Sequence, residues 1–404
     1  MGSHVISQAW FALGITCLLA VSPAAAGGRR QILTEETVFD VAAFGAKPDG
    51  VTDNSMEFIR AWKAACTCPG KAKVLIPAGN FASGEVVFAG PCTSPAPIIF
   101  EIKGNLTAAP DLSMYSNFAW IMFQHVDNLV ITGGGTLDGN GKKVWQFADG
   151  TTPLPASLIL ETMGNSKLEN LKFVDSMGFH IKTTSCHDIV ITNLTITAPD
   201  DSPNTDGFHV SRSTNVKVTD CLIGTGDDCV SIGEGNTNVT VARVACGPGH
   251  GISIGSLGKR PDEKNLRGVT ISNCSLTGTT NGARIKTCHD SPNLIASAIV
   301  FEDIVMTDVK NPIIIDQNYH STPNSKESTV KLVDVHFRKI RGSTISEVGV
   351  WLNCSMANPC EGVELADIDL VPSGFLGPVG FACTNAMATM AGIFNPLGPR
   401  QCIA

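Results

Sequence analysis

The sequence predicts an all-β fold: a single-stranded right-handed parallel β-helix with a short N-terminal capping helix. Three observations predict it. Asp206, Asp228 and His250 sit in similar motifs at equal steps of 22 residues, which is the mark of a solenoid whose units stack coil on coil. Short runs of alternating Val and Ile recur along the chain, many led by Asn or Asp. Glycine is abundant, with 40 residues, while aromatics make up only 6%. That balance suits narrow coils with many tight corners. A β-propeller would need four antiparallel strands per unit and a longer, more regular period.

The elements follow in order. Positions 9–21 are apolar, and Ser-Pro-Ala-Ala-Ala follows. The run is shorter than a comfortable membrane span, and Ala24-x-Ala26 fits a cleavage site. A signal peptide is expected over 1–26, cut near Gly27, with a single domain over 27–404. An uncleaved anchor is the alternative, since no Lys or Arg precedes the apolar run. No later stretch would span a bilayer, so no membrane contact is expected after cleavage. Positions 37–44 alternate as a strand, and Asp49-Gly50 reads as a turn. Asn54 or Ser55 can cap a helix with Phe58, Ile59, Trp62 and Ala65 on one face. Strands are expected at 73–76, 98–102, 128–132, 170–174, 188–192, 215–218, 238–241, 268–271, 298–301, 331–335 and 362–365. Strands joined this way lie parallel, with apolar residues stacked inside.

The formal net charge of −8 argues against a nucleic-acid partner, which requires a basic face. An acidic polymer can still bind where basic side chains gather locally. Of 14 Cys, Cys17 lies in the signal segment. The odd remainder implies a free thiol or an intermolecular bond. Cys354/Cys360, Cys383/Cys402 and Cys229/Cys246 are candidate pairs, and Cys66 or Cys68 can pair with Cys92. No paired Cys-x2-Cys motifs indicate zinc. Sequons at Asn105, Asn193, Asn238, Asn273 and Asn353 are candidate glycan sites.

Four motifs carry the chemistry: Asn-Thr-Asp-Gly at 204–207, Gly-Asp-Asp at 226–228, Gly-His-Gly at 249–251, and Arg-Ile-Lys at 284–286. Stacked strands lie roughly 4.8 Å apart, so Asp206, Asp228 and His250 should form a column on one wall. His209, Ser231, Ser253 and Arg284 should point outward, alternating with inward apolar neighbours. Glycoside cleavage needs one carboxylic acid to protonate the leaving oxygen and another carboxylate to activate water or attack. Clustered carboxylates repel, which raises at least one pKa. Alone, Asp-Gly and Gly-Asp-Asp are ordinary turn sequences; their registered repeat beside His250 favours Asp206, Asp227 and Asp228 as an active site. Arg284 and Lys286 share a strand face and suit a carboxylate-bearing substrate, or serve to neutralise the Asp cluster. Lys259-Arg260 can extend that patch. Asp200-Asp201 can bind Ca²⁺, although a short acidic loop is usually just solvated.

These four motifs, in this order and spacing, resemble the signature motifs of the polygalacturonases. The resemblance extends from about Phe39 to Cys402. Positions 202–207, 246–258 and 359–363 resemble the plant, pollen-type branch, which is exo-acting more than endo-acting. It implies a pectin-lyase-like solenoid and secreted, inverting hydrolysis of α-1,4-galacturonan, without metal or other cofactor. The implied partner is polygalacturonate or de-esterified pectin of the plant cell wall, met by a monomer. It further implies Asp227 as general acid, Asp206 and Asp228 as activators of water, and His250 as an assisting group. Arg284, Lys286 and Asn204 would bind substrate. The chain departs from the family in two places. Cys288 stands where relatives commonly carry an aromatic, and is a candidate free thiol. The 319–329 loop lacks a Cys pair. Endo action, a Ca²⁺-dependent pectate lyase, and a non-catalytic pectin-binding wall protein are the alternatives.

Overall fold

Short β-branched strands separated by Asn, Asp and Gly corners wind into a right-handed parallel β-helix. The computed structural model describes residues 36–94, 97–375 and 377–398; the expected signal segment and Cys402 lie outside them. Every strand pair among the described residues is parallel. Eleven strands form one sheet, ending with Gly380–Thr384. The other strands form a larger sheet that carries two ladders in its first half. These merge at the long strand Leu266–Thr277.

The corners explain why Asn and Asp lead so many strands. Asn128, Asn170, Asp188, Asn215 and Asn238 all take left-handed φ values between 55° and 59°, a conformation their short polar side chains tolerate. They also bond along the stack: Asn215 Nδ2 donates to Asp188 Oδ1 at 2.9 Å, and Asn238 Nδ2 to Asn215 Oδ1 at 2.7 Å.

Inside, equivalent positions stack. Ile189, Val216, Val239, Val269, Ile299 and Val335 pair in register and are buried. Each such side chain contributes about 1.5–3 kcal/mol on burial. At the N-terminal end the helix Ser55–Cys66 covers the open coil with Phe58, Ala61, Trp62 and Ala65. Trp62 meets Phe88 and Phe123, each with ring centroids 5.5 Å away, and its Nε1 donates to Ala89 O. Cys66–Cys92 ties this cap to the coils, which settles the choice between Cys66 and Cys68. Cys229–Cys246 and Cys354–Cys360 also form. Cys288 is a free buried thiol, as are Cys186, Cys221 and Cys274, and Cys68 is free and half-buried.

Three local expectations need correction. Positions 37–44 split into the strand Thr37–Asp40 and a 3-10 helix, Val41–Phe44, because the Asp40 carboxylate caps Ala42 N and Gly45 ends the turn at φ 98°. Asp49-Gly50 opens the strand Asp49–Asp53 instead of forming a separate turn. Asn54 stands at the helix start, but its side chain accepts from Lys47 N and donates to Ala82 O. Of the strands expected between 73 and 365, the one at 170–174 belongs to the second ladder, where Lys172–Val174 pairs with Thr136–Asp138. The neighbouring strand Gly164–Glu169 continues the first.

One core position runs against the pattern. Thr183 lies between Leu160 and Val210 in register. Its buried hydroxyl has no hydrogen-bond partner among the described residues. A buried hydroxyl without a partner costs free energy that an isosteric methyl does not. Thr183→Val should therefore raise stability by about 1–2 kcal/mol, read as a higher urea midpoint at unchanged slope. A lower midpoint would show that the hydroxyl is satisfied.

Candidate active site

The four motifs fall on consecutive strands of the eleven-stranded sheet. Phe208–Ser211 pairs with Val230–Ile232, which pairs with Ile252–Leu257, which pairs with Asn281–Cys288. The register is the expected one. Phe208, Val230, Ile252 and Ala283 line up inward, and His209, Ser231, Ser253 and Arg284 line up outward. Asp206, Asp228 and His250 stand at the corners that lead into the first three strands. Coil packing is tight there: a Cβ on Gly251, at φ 84°, would lie 2.0 Å from Asn281 O. The Cys229–Cys246 bridge fixes the same corner.

The outward row does more than separate core residues. Ser231 Oγ donates to Asp206 Oδ2 at 2.7 Å, and Ser253 Oγ donates to Asp228 Oδ1 at 2.7 Å. Each serine reaches back one coil to an aspartate. Behind them the partners differ in charge. His209 Nδ1 lies 2.8 Å from Ser231 Oγ. Burial, reinforced by Lys182, lowers His209 to about 3, so the ring is neutral. Arg284 Nε donates to Ser253 Oγ at 2.7 Å, and its Nη2 to Asp228 Oδ1 at 2.6 Å. Lys286 Nζ donates to Asp228 Oδ2 at 2.9 Å.

The two buried carboxyls therefore titrate in opposite directions. Burial, then repulsion from Asp227 and Asp228, pushes Asp206 well above the ordinary carboxylate range. Burial would raise Asp228 too, but Arg284 and Lys286 outweigh it and hold Asp228 below that range. Asp227 is the accessible member of the three, with about a quarter of its side chain exposed. Its Oδ1 accepts from Asp228 N at 2.8 Å and sits 2.9 Å from His250 Nδ1. His250 is thus engaged with Asp227, not with Asp228, its partner at the 22-residue step.

The other candidates sort themselves. Asn204 is exposed at a left-handed corner, φ 53°, beside Thr205, whose hydroxyl accepts from Gly226 N. Arg260 pairs with the buried Glu234, and Lys259 is exposed. Asp200 and Asp201 are exposed and form no ligand cluster of three. Such a cluster does exist at Asp227, Asp228 and His250, whose ligand atoms lie within 4.8 Å of one another. Both oxygens of Asp228 already bind cationic side chains, whose charge opposes a metal ion there. Tyr319, from the strand Asn311–Tyr319, pairs with Cys288 and places its ring 5.2 Å from Lys286 Nζ. Ser231, Ser253 and His209 escaped the sequence as site residues, although their own 22-residue spacing marked them.

A solenoid wall with one carboxyl driven up, one held down and one exposed beside a histidine defines a glycoside-hydrolase class of protein. The chain belongs to the glycosyl hydrolases family 28, whose model matches residues 66–392. It is 41% identical over 393 residues to an exopolygalacturonase of Arabidopsis thaliana, covering 93% of this chain and 92% of that protein. It is 39% identical over 371 residues to the exopolygalacturonase of Platanus acerifolia, covering 90% and 98%. An exopolygalacturonase from Thermotoga maritima has a similar fold, with TM-score 0.72 at 19% identity over 89% of this chain and 91% of that one.

The opposite shifts give opposite stability tests. Asp206, raised when folded, costs stability as pH climbs above the ordinary carboxylate range toward its folded value. Asp206→Asn should melt higher than wild type at pH 7, with the gain shrinking toward pH 4. Asp228, lowered when folded, contributes stability above the ordinary range, which is lost as pH falls through its folded value. Asp228→Asn should lose about 3–5 kcal/mol at neutral pH, because it leaves two cations unpaired. Shifts of the same sign in both variants would sink this electrostatic account.

Proposed function

We propose that this chain is a secreted, inverting polygalacturonase in which Asp227 is the general acid. The chain hydrolyses polygalacturonate, and the exo mode is favoured by the exopolygalacturonases among its relatives. The observation that carries the assignment is the division of labour among the three carboxyls. Asp227 alone is accessible, so it meets the glycosidic oxygen. The reactive form carries a proton on Asp227 and leaves Asp206 ionised as the base.

Water then attacks the anomeric carbon as the glycosidic C–O bond breaks. The leaving oxygen takes the proton from Asp227. The attacking water gives its proton to Asp206, whose raised affinity makes it the stronger base once ionised. Asp228, kept ionised by Arg284 and Lys286, orients that water and stabilises positive charge developing at the sugar ring. His250 holds Asp227 in place. Arg284 and Lys286 keep donors beyond those spent on Asp228, and these receive a galacturonate carboxylate. Asn204 contacts the sugar from the exposed corner. No metal or other cofactor takes part in these steps.

Residues 1–26 direct secretion to the cell wall, and 27–404 act as one monomeric catalytic domain. No helix among the described residues is long and apolar enough to cross a membrane.

Digestion of polygalacturonic acid tests the reading, with and without EDTA and with Asp227→Asn as control. Saturated monogalacturonate should appear from the start, unaffected by EDTA. The variant should lose on the order of a hundredfold or more in kcat, as expected for removing a general acid. A spread of oligomers would reverse the exo assignment alone. Unsaturated, EDTA-sensitive products would indicate a lyase, and no products across several pH values a pectin-binding protein.

A further inference from the structure

The outward row that carries His209, Ser231, Ser253 and Arg284 does not begin at His209. One coil earlier, Lys182 pairs in register with His209, and beyond it lies Ile159. Lys182 and Arg284 are thus the two cations of this row, four strand steps apart, roughly 19 Å at the usual strand spacing. The carboxyl trio lies between them. Their circumstances differ. Arg284 is committed to Asp228 and Ser253. The Lys182 ammonium makes no hydrogen bond or ion pair with any described residue, although the residue is half-buried.

A lysine can bury its stem and keep its ammonium in water. Here burial depresses the ammonium below its ordinary range, with Arg212 and Arg260 adding repulsion and Glu161 opposing it. The head has therefore lost water without gaining a counter-ion. Two neighbouring cations already have one: Arg212 and Arg260 both bind Glu234, at 3.3 and 3.1 Å. The ring beside Lys182 is the neutral His209, stacked on Phe179 with centroids 5.2 Å apart. A desolvated cation without a partner is costly unless a ligand anion completes it.

We propose that Lys182 is a second anchor for a uronate carboxylate, on the side of the trio opposite Arg284. This rests on the polygalacturonate reading above. It makes Lys182 a specificity-determining residue: a free carboxylate on the sugar it faces is held, and a methyl ester is not.

The test uses the full-length chain as wild type, Lys182→Gln and Lys182→Arg, with polygalacturonate and a highly methyl-esterified pectin as substrates. Loss of one charge-assisted contact should raise KM for polygalacturonate roughly tenfold or more in the Gln variant. The loss should fall on KM rather than kcat, be much smaller on the esterified polymer, and be largely rescued by Arg. Because the substitution removes an uncompensated charge, the Gln variant should melt at or above the wild-type temperature. An unchanged KM, an equal loss on both polymers, or a loss accompanied by a lower melting temperature would overturn the proposal. If wild type hydrolyses neither polymer, the enzymatic reading fails, and the Kd of polygalacturonate for the same three chains decides Lys182 by itself. A tenfold weaker Kd in the Gln variant alone supports it, and equal Kd values refute it.

Discussion

The site depends on one constraint: constant coil length between Asp206 and His250. A step of 22 residues places each corner over the last, so a side chain on one coil meets a fixed address on the next. Ser231 bonds Asp206 and Ser253 bonds Asp228, each across 25 residues. One added residue in either coil would swing the outward row inward, since side chains alternate along a strand. Both serine contacts would be lost together. The Cys229–Cys246 bridge and the glycine corner at Gly251 hold the coil where that spacing matters most.

On this frame, one serine–aspartate contact is repeated, and the outer partners stand at opposite ends of the row, His209 one coil before Ser231 and Arg284 one coil after Ser253. Two aspartates each receive a serine hydroxyl in the same geometry. Behind one serine stands a neutral His209; behind the other stands Arg284, with Lys286 beside it. A neutral imidazole leaves burial and like-charge repulsion in command, and Asp206 is pushed above the ordinary carboxylate range. A cationic pair overrides burial, and Asp228 is held below it. Two chemically identical side chains thus shift in opposite directions through their second neighbours.

Much of this was legible in the sequence, for a physical reason. Strand alternation and equal spacing are one-dimensional properties, so the inward and outward rows from residue 208 to 285 could be read directly. The corner cysteines at 229 and 246 were legible in the same way. Which face a strand joins is a matter of corner geometry, so the strand expected at 170–174 is found, while its place in the second ladder had no signal in the alternation. Protonation was not legible, because it follows from burial and from partners on other coils. Spacing alone implies that some carboxyl is raised without selecting Asp206, and the neutralisation of the Asp cluster expected of Arg284 and Lys286 falls on Asp228 in particular. Both readings of that cation pair, charge neutralisation and substrate anchoring, rest on the same atoms. A carboxylate that occupies part of a guanidinium and an ammonium still leaves donors pointing into the cleft.

The wall also separates folding from function by location. Inward positions are mostly apolar, stacked and covered; buried Gln317 among them is hydrogen-bonded, whereas the Thr183 hydroxyl has no partner among the described residues. Outward positions in the same strands carry buried or half-buried charge, some of it paired, as Arg284 is with Asp228, and some without a partner among the described residues. A solenoid tolerates this because each coil contacts only its neighbours. The apolar stack beneath supplies the stability, and the row above can hold Asp206 without a cation and Lys182 without an anion. The two uncompensated groups sit at neighbouring outward addresses, with neutral His209 between Lys182 and the Ser231–Asp206 pair. Had Lys182 reached Asp206, the pair would have neutralised each other, and Asp206 would have titrated low like Asp228. An imidazole without charge at position 209 keeps them apart, which preserves both the high-titrating carboxyl that the chemistry needs and a cation left over for the substrate.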